Sequence, residues 1–235
     1  ARRSRDRPRL LLLAARIGGA AAAQAPRAFD GIWDVSVVCP DHMGARGMGA
    51  LLGNDPTQYA RMRETPWASA TLGLSYGSSS WYAVLSDFCV LRKGAVLAVS
   101  SAQLASLAIK EEVDPQVMGG WQVHAEVTGF ADYVAETDEE ALQAIRTFLS
   151  YLPSHHKEAP PVHPVPEGSG ANMANIAKLL PERRTQVYDV RAIVRAFVDA
   201  GSFFELKPRF ARVAVTGLAR LDGRTVGIVA NNPKA

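Results

Sequence analysis

Cysteine is scarce in this chain, and two other familiar signatures are missing as well. The 235 residues include only Cys39 and Cys89, too few for a disulfide framework, which indicates thiols kept in a reducing compartment. No apolar run approaches the length that a helix needs to cross a bilayer. These shortages argue against a disulfide-stapled secreted domain and against a helical membrane protein.

The charged residues also lack a pattern. Twenty-six Lys and Arg against 23 Asp and Glu leave a net charge of +3, and no basic stripe alternates with aromatic residues. We therefore expect an anionic small ligand and neither a nucleic-acid nor a membrane partner. His155, His156 and His163 lack metal-ligand spacing, and the glycine-rich stretch 43–54 lacks the Gly-Lys-Ser/Thr end of a phosphate-binding loop. The sequence thus predicts no metal site.

Residues 1–28 differ from the rest of the chain. A basic start, Ala1 to Arg9, precedes a short leucine block and an alanine-rich stretch. We expect a disordered or non-native tail here and a cytoplasmic protein. If this segment is instead a transit peptide, the protein would lie in the mitochondrial matrix.

From Asp34 onwards, apolar runs alternate with glycine breaks, which predicts an α/β fold. We expect strands at Val35–Cys39, Leu72–Ser75 and Val96–Val99, and a helix after the Thr137-x-x-Glu140 capping motif. The sequence predicts a domain over 29–152, a proline-rich linker over 153–186, and a second segment over 187–235. That segment contains a helix after Asp189, then a hairpin that turns at Asp222-Gly223.

The stretch Tyr76-Gly77-Ser78-Ser79-Ser80 lies between an apolar run and a helix-compatible segment. Its small residues would let a ligand approach the backbone closely. N–H groups at the start of the next helix would then face that ligand, assisted by the helix dipole. Such an arrangement suits an oxyanion hole, although a Ser/Gly-rich loop that caps a helix is the simpler interpretation.

Four stretches together resemble the carboxyltransferase (beta) subunit of biotin-dependent acyl-CoA carboxylases, propionyl-CoA carboxylase type. Their order and spacing agree with that family from about Gly73 to the C-terminus. The stretches are Ala83–Phe88, Met118–His124 with Thr128-Gly129, Leu149–Pro153, and the run from Tyr188-Asp189-Val190-Arg191 through Phe203–Leu206 to Thr216–Asn231.

The resemblance implies crotonase-like domains in pairs, with active sites between chains and a homo-oligomeric assembly. It places the oxyanion hole for the acyl-CoA thioester oxygen on Gly77, Ser78 and Ser79, where the family usually has Gly-Gly-Ala. It also implies substrate-binding roles for Tyr76, Gly119, Gly120 and His124. Biotin would arrive on a partner, a biotin carboxyl carrier or biotin carboxylase subunit, and the carboxyl group would pass to the acyl α-carbon.

Two alternatives to an acyl-CoA carboxylase subunit stay open. A biotin-dependent acyl-CoA decarboxylase subunit runs similar chemistry in reverse. The second alternative is a catalytically incomplete fragment that acts only in assembly, because the segment after residue 187 resembles the start of a second, truncated carboxyltransferase domain. On that view the chain alone would hold acyl-CoA without transferring a carboxyl group.

Overall fold

The computed structural model describes residues 64–183 and 185–234, together with the backbone of two earlier strands at 12–14 and 34–38. Cys39, the stretch 43–54 and the remainder of the predicted tail lie outside the described residues. Among the helices that are described, none is both long and apolar enough to span a bilayer.

A five-stranded parallel sheet forms the centre of the structure, in the order β1-β2-β3-β5-β7. Its middle strands are buried on both faces, since Ala68, Ala70, Phe88 and Val90 have no exposed surface and Cys89 has 1%. Near-continuous apolar runs are typical of such strands. The described strands are β1 Leu12–Ala14, β2 Asp34–Val38, β3 Trp67–Thr71, β4 Leu74–Tyr76, β5 Phe88–Arg92, β6 Val96–Ala98, β7 Tyr133–Ala135, β8 Phe204–Leu206, β9 Ala214–Leu221 and β10 Arg224–Asn231.

One face of the central sheet is covered by the longest described helix, Asp138–Leu149. Its apolar stripe packs on β3 and β5, and the ring of Phe148 stacks on that of Phe88 at 4.4 Å. The described helices are α1 Ser78–Leu85, α2 Ala102–Ile109, α3 Pro115–Gly119, α4 Asp138–Leu149, α5 Ile176–Leu179 and α6 Val190–Phe197, with a π-helix at Val123–Val127 and a 3-10 turn at Met173–Asn175.

The start of α4 confirms half of the predicted capping motif. The Thr137 hydroxyl accepts a hydrogen bond from the Glu140 N–H, as expected for an N-cap. The Glu140 carboxylate, however, accepts from the Glu136 N–H and the Tyr133 hydroxyl rather than from the cap residue. The motif therefore fixes both the helix start and the strand β7 that precedes it.

The opposite face of the sheet carries the smaller elements. Cys89 and Leu91 of β5 pack with Ala83 of α1, Leu97 of β6 and Ala125 of the π-helix. This cluster supports a two-stranded parallel sheet of β4 and β6, in which Ser75 lies opposite Leu97. The small sheet is the feature that positions the candidate site.

The segment after the predicted linker folds back onto the first unit, which is the central sheet together with α4. Strands β8, β9 and β10 form an antiparallel sheet in the order β10-β9-β8, and the predicted hairpin is confirmed. Phe204 lies 5.8 Å from the ring of Phe88, while Leu206 and Leu218 pack against the same core. The Arg191 guanidinium, at the start of α6, binds the Glu205 carboxylate at 2.6 Å and so ties α6 to β8.

One local prediction differs from the structure. The expected strand Leu72–Ser75 is divided, because β3 ends at Thr71 and β4 begins at Leu74 after a break at Gly73. The segment around His124 is a π-helix. Within it, Glu126 pairs with Arg209 at 3.0 Å. The apolar residues Val123, Ala125 and Val127 alternate in the sequence as they would in a strand, so the sequence pattern does not indicate this helix.

Candidate functional site

The predicted oxyanion stretch forms a sharp turn between β4 and α1. Gly77 has φ 65° and ψ −132°, a backbone conformation that is essentially open to glycine alone. A Cβ atom there would meet nothing within 4 Å, so the torsion angles and not crowding require the glycine. Its N–H donates to the Val99 carbonyl at 3.0 Å, which anchors the turn to the chain just after β6.

Helix α1 begins without the side-chain cap that most of the other described α-helices have. Ser101, Thr137 and Asp189 accept hydrogen bonds from the first turns of α2, α4 and α6, whereas Gly77 has no side chain that could do so. Ser78 and Ser79 occupy the first two positions of α1, where an N–H has no carbonyl four residues earlier within the helix. The Ser80 N–H donates to the Gly77 carbonyl at 3.1 Å.

The hydroxyls of Ser79 and Ser80 point back to the backbone of this turn. The Ser79 hydroxyl donates to the Tyr76 carbonyl at 2.8 Å and lies 3.0 Å from the Ser75 hydroxyl. The Ser80 hydroxyl donates to the Gly77 carbonyl at 2.6 Å. All three serines are buried. The Ser79 hydroxyl therefore braces the turn together with Ser75, a residue that no sequence pattern marked as part of the site.

Gly119 and Gly120 lie on the other side of β6. Gly120 forms an isolated antiparallel bridge with Val96, and a Cβ at Gly119 would lie only 2.5 Å from the Leu97 carbonyl oxygen. A Cβ at Gly120 would meet the Gln116 carbonyl oxygen at the same distance. Both positions exclude any larger residue, because backbone atoms already fill the space. Strand β6 thus lies between the two groups of predicted site residues.

His124 contacts the same strand. Its Nε2 lies 2.8 Å from the Leu97 carbonyl oxygen, which can only accept, so Nε2 carries the hydrogen. Its Nδ1 lies 3.3 Å from the Thr128 hydroxyl, and Phe130 packs edge-on against the ring. The structure thus brings Tyr76, Gly77, Ser78 and Ser79 to one side of β6, and Gly119, Gly120 and His124 to the other. The linking atoms are the backbone carbonyls of residues 97 and 99, and no sequence pattern could have identified them.

The one described cysteine is not a candidate nucleophile. Cys89 is buried in the cluster beneath α1, and this burial raises its pKa to about 12, with a smaller contribution from the Asp132 carboxylate. The thiol therefore stays protonated at neutral pH, and only the thiolate is a good nucleophile. Within residues 64–183 and 185–234, no group of three or more His, Cys, Asp or Glu could hold a metal ion.

Two described cavities lie away from this turn. They have volumes of about 310 and 380 Å³, and both are lined by Leu152 and Pro153 at the start of the predicted linker. The roles predicted for the seven site residues stay predictions.

Comparison with known proteins identifies the family. Residues 43–235 match the family described as Carboxyl transferase domain. The chain is 34% identical over 194 residues to the uncharacterized carboxylase YngE of Bacillus subtilis (strain 168), a match that covers 81% of this chain and 37% of that protein. It is 33% identical over 171 residues to the propionyl-CoA carboxylase, carboxyltransferase subunit, of Haloferax mediterranei, covering 72% and 33%. It is 30% identical over 170 residues to the methylmalonyl-CoA decarboxylase subunit alpha of Veillonella parvula, with the same coverage.

A solved structure shares the fold. Transcarboxylase 12S, with methylmalonyl-coenzyme A and methylmalonic acid bound, superposes with a TM-score of 0.72 at 28% identity, covering 86% of this chain and 40% of that one. The chain spans about a third of the length of the curated relatives. The predicted α/β, crotonase-like fold is confirmed. The chain belongs to the carboxyl transferase domain family, of the kind found in biotin-dependent acyl-CoA carboxylases.

Proposed function

We propose that this chain supplies the acyl-CoA side of a biotin-dependent carboxyltransferase, which moves a carboxyl group to the α-carbon of an acyl-CoA such as propionyl-CoA. The observation that carries the proposal is the uncapped start of α1 after Gly77, at the place where the resemblance implies an oxyanion hole. Relatives named as propionyl-CoA carboxylase subunits support the choice of substrate.

In this proposal the thioester oxygen accepts hydrogen bonds from the N–H groups of Ser78 and Ser79. The acyl α-carbon would lose its proton to the ureido nitrogen of the partner's biotin, which moves negative charge onto the thioester oxygen. Two fixed donors at a helix start would stabilise that charge as it develops. The loss of one donor from such a hole typically raises the barrier by about 3–4 kcal/mol. The chain's contribution is therefore electrostatic, made by backbone groups that the Gly77 turn holds in place.

Carboxybiotin on a partner subunit, a biotin carboxyl carrier or biotin carboxylase subunit, would supply the carboxyl group. We assign no described residue to holding biotin, because the Gly77 turn offers one pair of donors and the thioester oxygen takes both. A homo-oligomer is proposed on the same family grounds, and the solved structure of transcarboxylase 12S is a hexamer assembly.

A decarboxylase subunit is the second candidate, favoured by the relative from Veillonella parvula. Both reactions pass through the same acyl-CoA enolate, and Ser78 and Ser79 would stabilise its oxygen in either direction. The direction of the reaction is then set by the partner that receives or delivers the carboxyl group.

Binding of two matched CoA derivatives tests the proposal. Propionyl-CoA has the thioester carbonyl, whereas S-propyl-CoA, a thioether, lacks it but keeps the rest of the molecule. We expect isothermal titration calorimetry to show tighter binding of the thioester by about tenfold, as two net hydrogen bonds would give. Equal affinities would refute the placement of the thioester oxygen at this turn.

A second measurement tests the chemistry itself. Stabilisation of the enolate should accelerate exchange of the propionyl-CoA α-hydrogens for deuterium in D2O, followed by mass spectrometry. This half-reaction needs the acyl-CoA and a base, and the D2O buffer supplies that base equally to this chain and to the albumin control. Exchange no faster than in the presence of bovine serum albumin would contradict enolate stabilisation by this chain.

A further inference from the structure

Both ring nitrogens of His124 are engaged inside the protein. Nε2 donates to the Leu97 carbonyl at 2.8 Å, and Nδ1 faces the Thr128 hydroxyl at 3.3 Å. The ring is also held from the side by Phe130, whose centroid is 5.8 Å away in an edge-on arrangement. A histidine fixed in this way has no ring nitrogen left for a substrate unless one of these contacts breaks.

The Leu97 carbonyl oxygen is the atom on which two predicted site residues converge. His124 donates to it, and the missing side chain of Gly119 leaves room for it, since a Cβ there would approach within 2.5 Å. Any other residue at 119 would push on the oxygen that His124 holds. The need to keep the Leu97 carbonyl oxygen in place thus accounts for both His124 and Gly119.

Strand β6 transmits this constraint to the oxyanion turn. Leu97 pairs with Ser75 in the small sheet, and Val99, two residues further along, accepts the hydrogen bond from the Gly77 N–H at 3.0 Å. His124 and Gly119 hold β6 from one side, and the Gly77 turn is attached to its end. Displacement of Leu97 would therefore move the carbonyl on which Gly77 is anchored.

The backbone around His124 is unusual in a way that agrees with such a role. Val123–Val127 forms a π-helix, a form that is rare and that occurs frequently at functional sites. The wider turn changes the direction of the side chains relative to an α-helix and accompanies the contact of His124 with β6. We propose that His124 is a positioning residue, which grips the Leu97 carbonyl beside Gly119 and thereby fixes the Gly77 turn. This inference rests on the proposed function for its consequence in acyl-CoA binding.

Two variants of similar size separate this role from a general effect on folding. The amide nitrogen of glutamine at 124 can take the place of Nε2 and donate to Leu97, whereas the shorter asparagine places its amide near Nδ1 and does not reach. The readout is the ratio of the S-propyl-CoA and propionyl-CoA dissociation constants, because that ratio isolates the thioester oxygen. We expect His124→Asn to lower the ratio by about threefold to tenfold, the loss of roughly one hydrogen bond, while His124→Gln keeps most of it.

Hydrogen exchange at the Gly77 N–H provides a readout that needs no ligand. In His124→Asn we expect this amide to lose protection, and in His124→Gln to keep it, as measured by exchange mass spectrometry on peptides that contain residue 77. Unchanged protection in both variants, or equal loss in both, would overturn the positioning role. If the wild-type chain fails to prefer the thioester, the proposed function fails, and the exchange data still decide the role of His124.

Discussion

Replacement of Gly77 by alanine is the most direct perturbation of the candidate site. At φ 65° and ψ −132° an alanine is strained by about 1–3 kcal/mol, while its lower entropy in the unfolded chain returns about 0.4–1 kcal/mol. No neighbouring atom lies within 4 Å of the new Cβ, so packing adds no further cost. We therefore expect a net loss of about 1–2 kcal/mol in the free energy of unfolding.

The same change should weaken recognition of the thioester oxygen. The strain is relieved if the turn leaves its native conformation, which breaks the hydrogen bond between the Gly77 N–H and the Val99 carbonyl and re-aims the next two N–H groups. We expect the affinity ratio of propionyl-CoA to S-propyl-CoA to fall from about ten towards one, because both donors of the hole are displaced.

Two other glycines provide matched controls. Gly94 also has a positive φ, 85°, and free space around a Cβ, but it lies in the turn between β5 and β6. Gly94→Ala should lower stability by a similar amount and leave the affinity ratio unchanged. Gly227, in β10, has free space around a Cβ and no positive φ. Gly227→Ala should therefore change the free energy of unfolding by no more than about 0.5 kcal/mol and leave the affinity ratio unchanged.

Stability is measured by urea unfolding and affinity by calorimetry, both on the full chain. If Gly77→Ala loses stability as Gly94→Ala does but keeps the wild-type affinity ratio, the thioester oxygen does not bind at this turn. If it loses no stability at all, the assignment of a glycine-only conformation to residue 77 is wrong.

Three further predictions concern single side chains. Burial raises the pKa of Cys89 from 9.0 to about 12, so the stability contributed by its protonated thiol is complete below pH 9 and is lost as the pH rises towards 12, at about 1.4 kcal/mol per pH unit. The free energy of unfolding, measured in urea from pH 8 to 11, should therefore fall more steeply in the wild type than in Cys89→Ala. Parallel curves would contradict this. Ser79→Ala, which removes the hydroxyl that braces the turn against the Tyr76 carbonyl, should cost about 1 kcal/mol in the free energy of unfolding and reduce the thioester preference only in part, because the backbone N–H of residue 79 remains; an unchanged free energy of unfolding would contradict the bracing role. Phe204→Ala should lower the free energy of unfolding by about 3 kcal/mol, the lower end for an aromatic core residue, because the ring is only half-buried. A second unfolding transition of the wild type in calorimetry would contradict the packing of Phe204 on the first unit.

The sequence was most informative where a side chain determines the local structure. Thr137 and Asp189 cap the helices that they were predicted to begin, and Asp222-Gly223 forms the hairpin turn, because each acts through short-range geometry. The fold family followed from motifs in a fixed order. Prediction was weaker around β4 and His124, where the backbone changes form within a few residues.

The contacts of the candidate site could not be predicted, since they join side chains or glycines to distant carbonyls. His124 and Leu97 are 27 residues apart, and the carbonyl of any residue type would have served as the acceptor. The Ser75–Ser79 contact is local but was hidden, because serines in a turn have many possible partners. Backbone groups thus connect the site, and a backbone carbonyl is present whichever residue type occupies the position.

The aromatic contact between Phe204 and the first unit has a consequence for synthesis on the ribosome. Phe204 lies among Phe88, Tyr133 and Tyr151, and Lys207 bonds to the Gly129 carbonyl 78 residues earlier, so one face of the core is completed late in translation. At a synthesis rate of about 5–20 residues per second, that face of the core stays uncovered for on the order of ten seconds, until the segment with Phe204 and Lys207 has been made. During this interval the nascent chain offers an apolar surface to chaperones, and a premature stop in the linker would leave it uncovered.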